Sequence, residues 1–120
     1  MKIKIILGEV SLSAVLNDSE TAKAIYGALP FESGYSRWGD EIYFQVPVQR
    51  PLEDPREVVE VGDLAFWPSG SCFCIFYGKT PASMGDEIRP ASAVNVFGRI
   101  HGDSSILKTV SSHNIRIDKI

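Results

Sequence analysis

Gly62-Asp63-Leu64-Ala65-Phe66-Trp67-Pro68 runs through Gly70-Ser71-Cys72-Phe73-Cys74-Ile75-Phe76 to Gly78-Lys79-Thr80-Pro81, and the stretch closes with Val94-Asn95-Val96-Phe97-Gly98-Arg99-Ile100. Each apolar segment is short, rich in aromatic and β-branched residues, and bounded by Gly, Pro or Ser, the marks of three strands between turns. Working outward, Lys2 to Leu7 alternates Lys with Ile, and Val10 to Leu16 alternates apolar with small polar residues. Around Gly8-Glu9 that pattern predicts a hairpin. Asn17, with Glu20 three positions on, has the spacing of a capping box. Ala22, Ile25, Tyr26 and Leu29 then share one helical face, and Gly27 and Pro30 end the run.

Phe31 to Asp40 reads as a loop that carries aromatics. Glu41 to Val46 returns to strand period, with Ile42, Phe44 and Val46 on one face and Glu41, Tyr43 and Gln45 on the other. Prolines at 47, 51 and 55 argue for an irregular or edge connection. Val58 to Val61 is expected as a short strand, Ser104 to Val110 as a helical turn, and Asn114 to Ile120 as the last strand. Many short strands with frequent turns predict a mainly β barrel or sandwich with one or two short helices, in one domain over residues 1–120.

Composition narrows the function classes. A net charge of -3, with Lys and Arg dispersed, offers no footprint for nucleic acid. No run reaches the roughly 20 apolar residues of a membrane span, and the apolar start breaks at Gly8-Glu9 before a signal h-region is complete, so a cytoplasmic protein without membrane partners is expected. Cys72 and Cys74 are the only cysteines. Two positions apart on a strand, they share one face and are expected to pack rather than to bridge. His101 and His113 add no ligand spacing, so no metal and no cofactor is assigned. Nor is there a nucleophile elbow or a phosphate-binding glycine loop.

Trp38-Gly39-x-Glu41-Ile42-Tyr43-Phe44, Pro55-Arg56-Glu57-Val58-Val59-Glu60, Phe76-Tyr77-Gly78-Lys79-Thr80-Pro81 and Pro90-Ala91-Ser92-Ala93-Val94-Asn95 together resemble the cyclophilin-like family of small, uncharacterised prokaryotic proteins. The resemblance implies a closed, mainly antiparallel barrel with helices covering its ends. True cyclophilins are a more distant match, through Gly70-Ser71-Cys72-Phe73-Cys74-Ile75 and Asn95-Val96-Phe97-Gly98-Arg99-Ile100. Their proline pocket has a phenylalanine where this chain has Cys74 and a glutamine where it has Cys72. The tryptophan and histidine expected between Thr80 and Val94 are missing. Arg37 precedes Gln45 by the spacing of the isomerase arginine and glutamine, which makes these two the candidates for catalysis.

The primary expectation is therefore a binding module that accepts a small molecule or an extended peptide in a cleft on the barrel face. Trp38, Glu41 and Tyr43, which enter a strand on its polar-aromatic side, are expected to line that cleft. Trp67, Phe76, Tyr77, Pro90 and Ser92 join them from neighbouring turns. Glu41, at a strand start, would ordinarily be solvated, and so would the acidic run of Glu53, Asp54, Glu57, Glu60 and Asp63. A peptidyl-prolyl isomerase with an altered site is the second reading. A homodimer paired through exposed edges near the prolines is the third.

Overall fold

Period-two alternation along the chain resolves, in the computed structural model, which describes residues 1–120, into nine antiparallel strands and two short helices. The strands are β1 (Lys2–Leu7), β2 (Val10–Leu16), β3 (Phe31–Gly34), β4 (Ser36–Arg37), β5 (Glu41–Gln45), β6 (Asp63–Trp67), β7 (Cys72–Phe76), β8 (Asn95–His101) and β9 (Asn114–Lys119). Helix α1 covers Glu20–Ala28, and a 3₁₀ turn covers Ser104–Thr109. No helix is long and apolar enough to cross a membrane.

All strands join one sheet in the order β3-β9-β1-β2-β8-β6-β7-β5-β4. The two outermost strands, β3 and β4, are separated in the chain by Tyr35 alone, so one bent segment pairs with β9 on one side and with β5 on the other. That segment nearly closes the sheet into a barrel. Its seam is pinned by the Tyr35 hydroxyl, which donates to the Ser112 carbonyl, and by Arg37, which donates to the Tyr77 hydroxyl and to the carbonyls of Leu107 (3.1 Å) and Val110 (2.9 Å). The expected loop over residues 31–40 is thus mostly strand. Phe31 to Gly34 pairs with β9, some 80 residues away, and no local pattern could register that half, whereas Ser36 and Arg37 pair locally with β5. The unpaired edges that remain belong to two short strands, β3 and β4, which weakens the edge-pairing motive for a dimer.

Alternate residues point inward along most strands, with a register shift in β8 that brings both Phe97 and Ile100 to the interior. Ile3, Ile5, Leu16, Ile42, Phe44, Leu64, Phe66, Phe73, Ile75, Phe97 and Ile117 fill the interior, and Ala22 and Ile25 of α1 and Leu107 of the 3₁₀ turn are buried against them. A second, smaller cluster lies on the outer face of β6 and β7, where Ala65, Cys72, Cys74 and Phe76 meet Val59, Ile88 and Val94. The segments that supply this cover are paired by two isolated bridges, Arg56 with Val94 and Val59 with Ile88. Val58 to Val61 therefore forms no strand. The proline-rich connection before it forms no strand either; its Val46 and Val48 are buried against the interior, and Pro51, Leu52 and Pro55 are exposed.

The start of α1 departs from the capping-box expectation. Ser19 is the cap, its hydroxyl accepting from the Ala22 N–H at 3.0 Å, while Asn17 accepts from the Ser19 N–H and hydroxyl. Glu20 pairs with Lys23 instead of reaching back. The remaining free helix donors are met from outside, by the Glu53 carboxylate, which accepts from the Glu20 and Thr21 N–H groups at 3.1 and 2.9 Å. The Thr21 hydroxyl, donating to Glu53 at 2.7 Å, and those two N–H groups hold the Glu53 carboxyl below the usual carboxylate range. Glu53 is thus a helix cap and not part of a solvated face. Asp63 is also buried and bound, to Arg99 at 3.0 Å.

Beneath this cap, buried Asn95 donates to Thr21 Oγ1 at 3.1 Å and to the Pro51 carbonyl at 2.8 Å, and accepts from the Glu53 N–H at 2.8 Å. Thr21→Val, which keeps the shape and removes both hydroxyl bonds, should lower stability by about 1 kcal/mol in urea unfolding. An unchanged midpoint would show that the network is dispensable.

Candidate functional site

The outer cover stops short over β5, β6 and β7, leaving a cavity of about 290 Å³ lined by Trp38, Glu41, Tyr43, Trp67, Pro90, Ala91 and Val94. Glu41 and Tyr43 reach it because β5 pairs with β7 in a register that sets Glu41 opposite Phe76 and Tyr43 opposite Cys74. Their side chains consequently share the outer face with Cys74 and Phe76.

Trp38 is placed by a tight turn. Its N–H donates to the Glu41 carbonyl at 2.9 Å, and the Glu41 N–H returns to the Trp38 carbonyl at 3.2 Å. The turn lies flat against Gly78 to Pro81, and the Asp40 N–H donates to the Lys79 carbonyl at 2.8 Å. Gly39 makes this possible. It adopts a φ of +61°, and a Cβ there would stand 2.8 Å from the Lys79 carbonyl oxygen and 2.9 Å from Thr80 Cα. Opposite, the Trp67 ring packs on Gly70, where a Cβ would come within 2.6 Å of the indole. The Trp67 N–H donates to Ser92 Oγ at 2.6 Å, which fixes the ring and uses its only polar group.

Glu41 is 6 % exposed, against the expectation of a solvated strand-start carboxylate. Burial pushes its pKa up to about 7, opposed in part by a hydrogen bond from the Cys74 thiol. None of the ion pairs in the structure includes Glu41. Both thiols on this face are also pushed up, Cys74 far and Cys72 less, first by burial and then by the Glu41 charge. They remain thiols at neutral pH, which suits packing and not nucleophilic attack.

Five of the eight residues expected at a cleft thus meet around one concavity: Trp38, Glu41, Tyr43, Trp67 and Pro90. Ser92 acts one step back, as the acceptor for Trp67. Phe76 lies on the same face but is wholly buried under the cover and lines nothing. Tyr77 does not belong to the cavity at all. One position beyond Phe76, it points inward to the barrel core and meets Arg37. Ala91 and Val94 are the lining residues that sequence reasoning missed. They sit beside Pro90 and Ser92, in the Pro90 to Asn95 stretch that carries part of the family resemblance.

Arg37 and Gln45 do not converge. Arg37 pairs with Ile42 across the hairpin and shares its inner face, whereas Gln45, opposite Cys72, stands on the outer face with Glu41 and Tyr43. A broader depression of about 590 Å³ lies elsewhere, around Val15, Arg56, Val58 and Arg99. Three of its four charged groups, Glu60, Asp63 and Arg99, already bind one another, which leaves Arg56 to recognise a ligand.

The family model described as "Cyclophilin-like" matches residues 1–118. Among solved structures, the solution structure of a hypothetical protein from Archaeoglobus fulgidus is similar at 38% identity and a TM-score of 0.82, covering 100% of this chain and 95% of that one. No curated protein matches.

Proposed function

Because the chain belongs to the cyclophilin-like family, we propose that it is a binding module whose barrel holds a small molecule in the cavity over β5, β6 and β7. The observation that carries this reading is Glu41, a buried carboxyl that borders an aromatic cavity without a cation of its own. A desolvated ionisable group costs stability, and such costs concentrate at functional sites. The cavity volume corresponds to roughly ten water-sized units. It suits a compact molecule, or one side chain of an extended peptide, better than a long peptide segment.

The isomerase reading finds less support. Arg37 spends its guanidinium on Tyr77 and two carbonyls on the inner face, away from Gln45. Cys74 also stands where the isomerase pocket has a phenylalanine, and Cys72 where it has a glutamine.

Trp38 and Trp67 are the only tryptophans in the chain, and both line the cavity. A fragment library screened by NMR should yield binders that shift both indole N–H signals. Absence of binding at millimolar concentration, or binders that leave both indoles in place, would overturn the proposal.

A further inference from the structure

We infer that the ligand of this cavity carries an alkylammonium group, held against the aromatic walls of Trp38, Tyr43 and Trp67 with its charge facing Glu41. The inference rests on the binding role proposed above and adds the chemical class of what binds.

Four observations converge on it. First, the cations on the segments flanking the cavity are turned or paired away from it, and Arg56, whose backbone bridges Val94, lines the depression beside Glu60 and Arg99 instead. Arg37, next to Trp38, is turned into the barrel seam; Lys79, against Gly39, pairs with Asp86; Arg89, next to Pro90, pairs with Glu87; and Lys108 pairs with Asp40. The negative charge of Glu41 is left for something that enters from outside. Second, no basic side chain lines the cavity, so an anionic ligand would meet only a like charge.

Third, the walls are of the kind that stabilises a cation once it has lost water. Indole and phenol faces attract ammonium groups through their quadrupoles, with tryptophan the strongest. The Trp67 N–H is consumed by Ser92, so that ring offers carbon surface and no donor. Fourth, a wholly apolar ligand would seal Glu41 away from water without a partner. An ammonium group supplies the opposite charge that the buried carboxylate lacks and favours its ionised form. The volume fits a small amine or quaternary ammonium, or the tip of a longer molecule.

The test compares choline with its neutral carbon isostere, in which a tert-butyl group replaces the trimethylammonium, by quenching of Trp38 and Trp67 fluorescence in the wild-type chain and in Glu41→Gln. The wild-type chain should bind choline at least about tenfold more tightly than the isostere. Glu41→Gln should lose that preference while binding the isostere as well as before. Equal or tighter binding of the isostere by the wild-type chain overturns the ammonium inference and leaves the cavity as a binding site. If neither probe binds and the fragment screen also finds nothing at the indoles, both readings fall. The comparison within the wild-type chain decides the matter even if the variant folds poorly.

Discussion

Phe73→Ala is expected to lower stability by about 3 to 5 kcal/mol, a large part of the roughly 5 to 15 kcal/mol that holds a domain of this size together. Phe73 is 0 % exposed and sits where the barrel's aromatic side chains meet. Its ring stacks on Phe44 at 5.1 Å and meets the edges of Phe97 at 5.0 Å and Phe31 at 6.3 Å. These partners come from β5, β8 and β3, so truncation removes contacts to three strands at once and leaves a cavity that closed backbone walls cannot collapse to fill. Urea unfolding followed by circular dichroism measures the loss. A cost below about 1 kcal/mol would mean that the interior is far more plastic than close packing implies.

The second large effect is a dependence on pH that one substitution should erase. In the unfolded chain Glu41 has the ordinary value of 4.5, and in the folded barrel about 7. The folded state therefore holds the Glu41 proton more tightly, and the resulting stability is fully present below pH 4.5 and is lost as pH rises towards 7. Each pH unit between the two values is worth about 1.4 kcal/mol, and water in the open cavity screens part of it, so the expected swing is about 2 kcal/mol. Glu41→Gln, neutral throughout, should match the wild-type chain at about pH 4 and exceed its stability by about 2 kcal/mol at about pH 8. Glu53, Glu60, Glu87 and Asp103 are held low and act on the acid side, but they are common to both chains and cancel in the difference. Parallel stability curves for the two chains would show that the Glu41 carboxyl is solvated after all.

The barrel was legible wherever its signal was local. Alternation in Lys2 to Leu7, Leu64 to Trp67 and Cys72 to Phe76 placed strands within a residue or two, and the motif resemblance supplied the closure. Partnership between distant segments was not legible. Phe31 to Gly34 looked like a loop because its pairing lies with Asn114 to Ile117, and Glu53 looked solvated because the helix end that it caps lies more than 30 residues away.

One error at the site was avoidable. Tyr77 directly follows Phe76, the last residue of β7, so the two cannot both face a cleft, and the same period that separated Tyr43 from Phe44 would have sent Tyr77 inward with Phe73 and Ile75. The burial of Glu41 was beyond reach. Glu41 lies beside Trp38, Pro90 and Val94, which come from segments some 50 residues apart and whose convergence no pattern in the sequence records.

The joined sheet edges also set a clock on synthesis. β9 is the last strand in chain order, yet it lies between β1 and β3, so the N-terminal hairpin and the closing segment have no common partner until residue 119 is made. At roughly 5 to 20 residues per second, the phenylalanines of the interior remain unenclosed on the ribosome for on the order of ten seconds. The barrel therefore closes only when β9 arrives to pair with both β1 and β3.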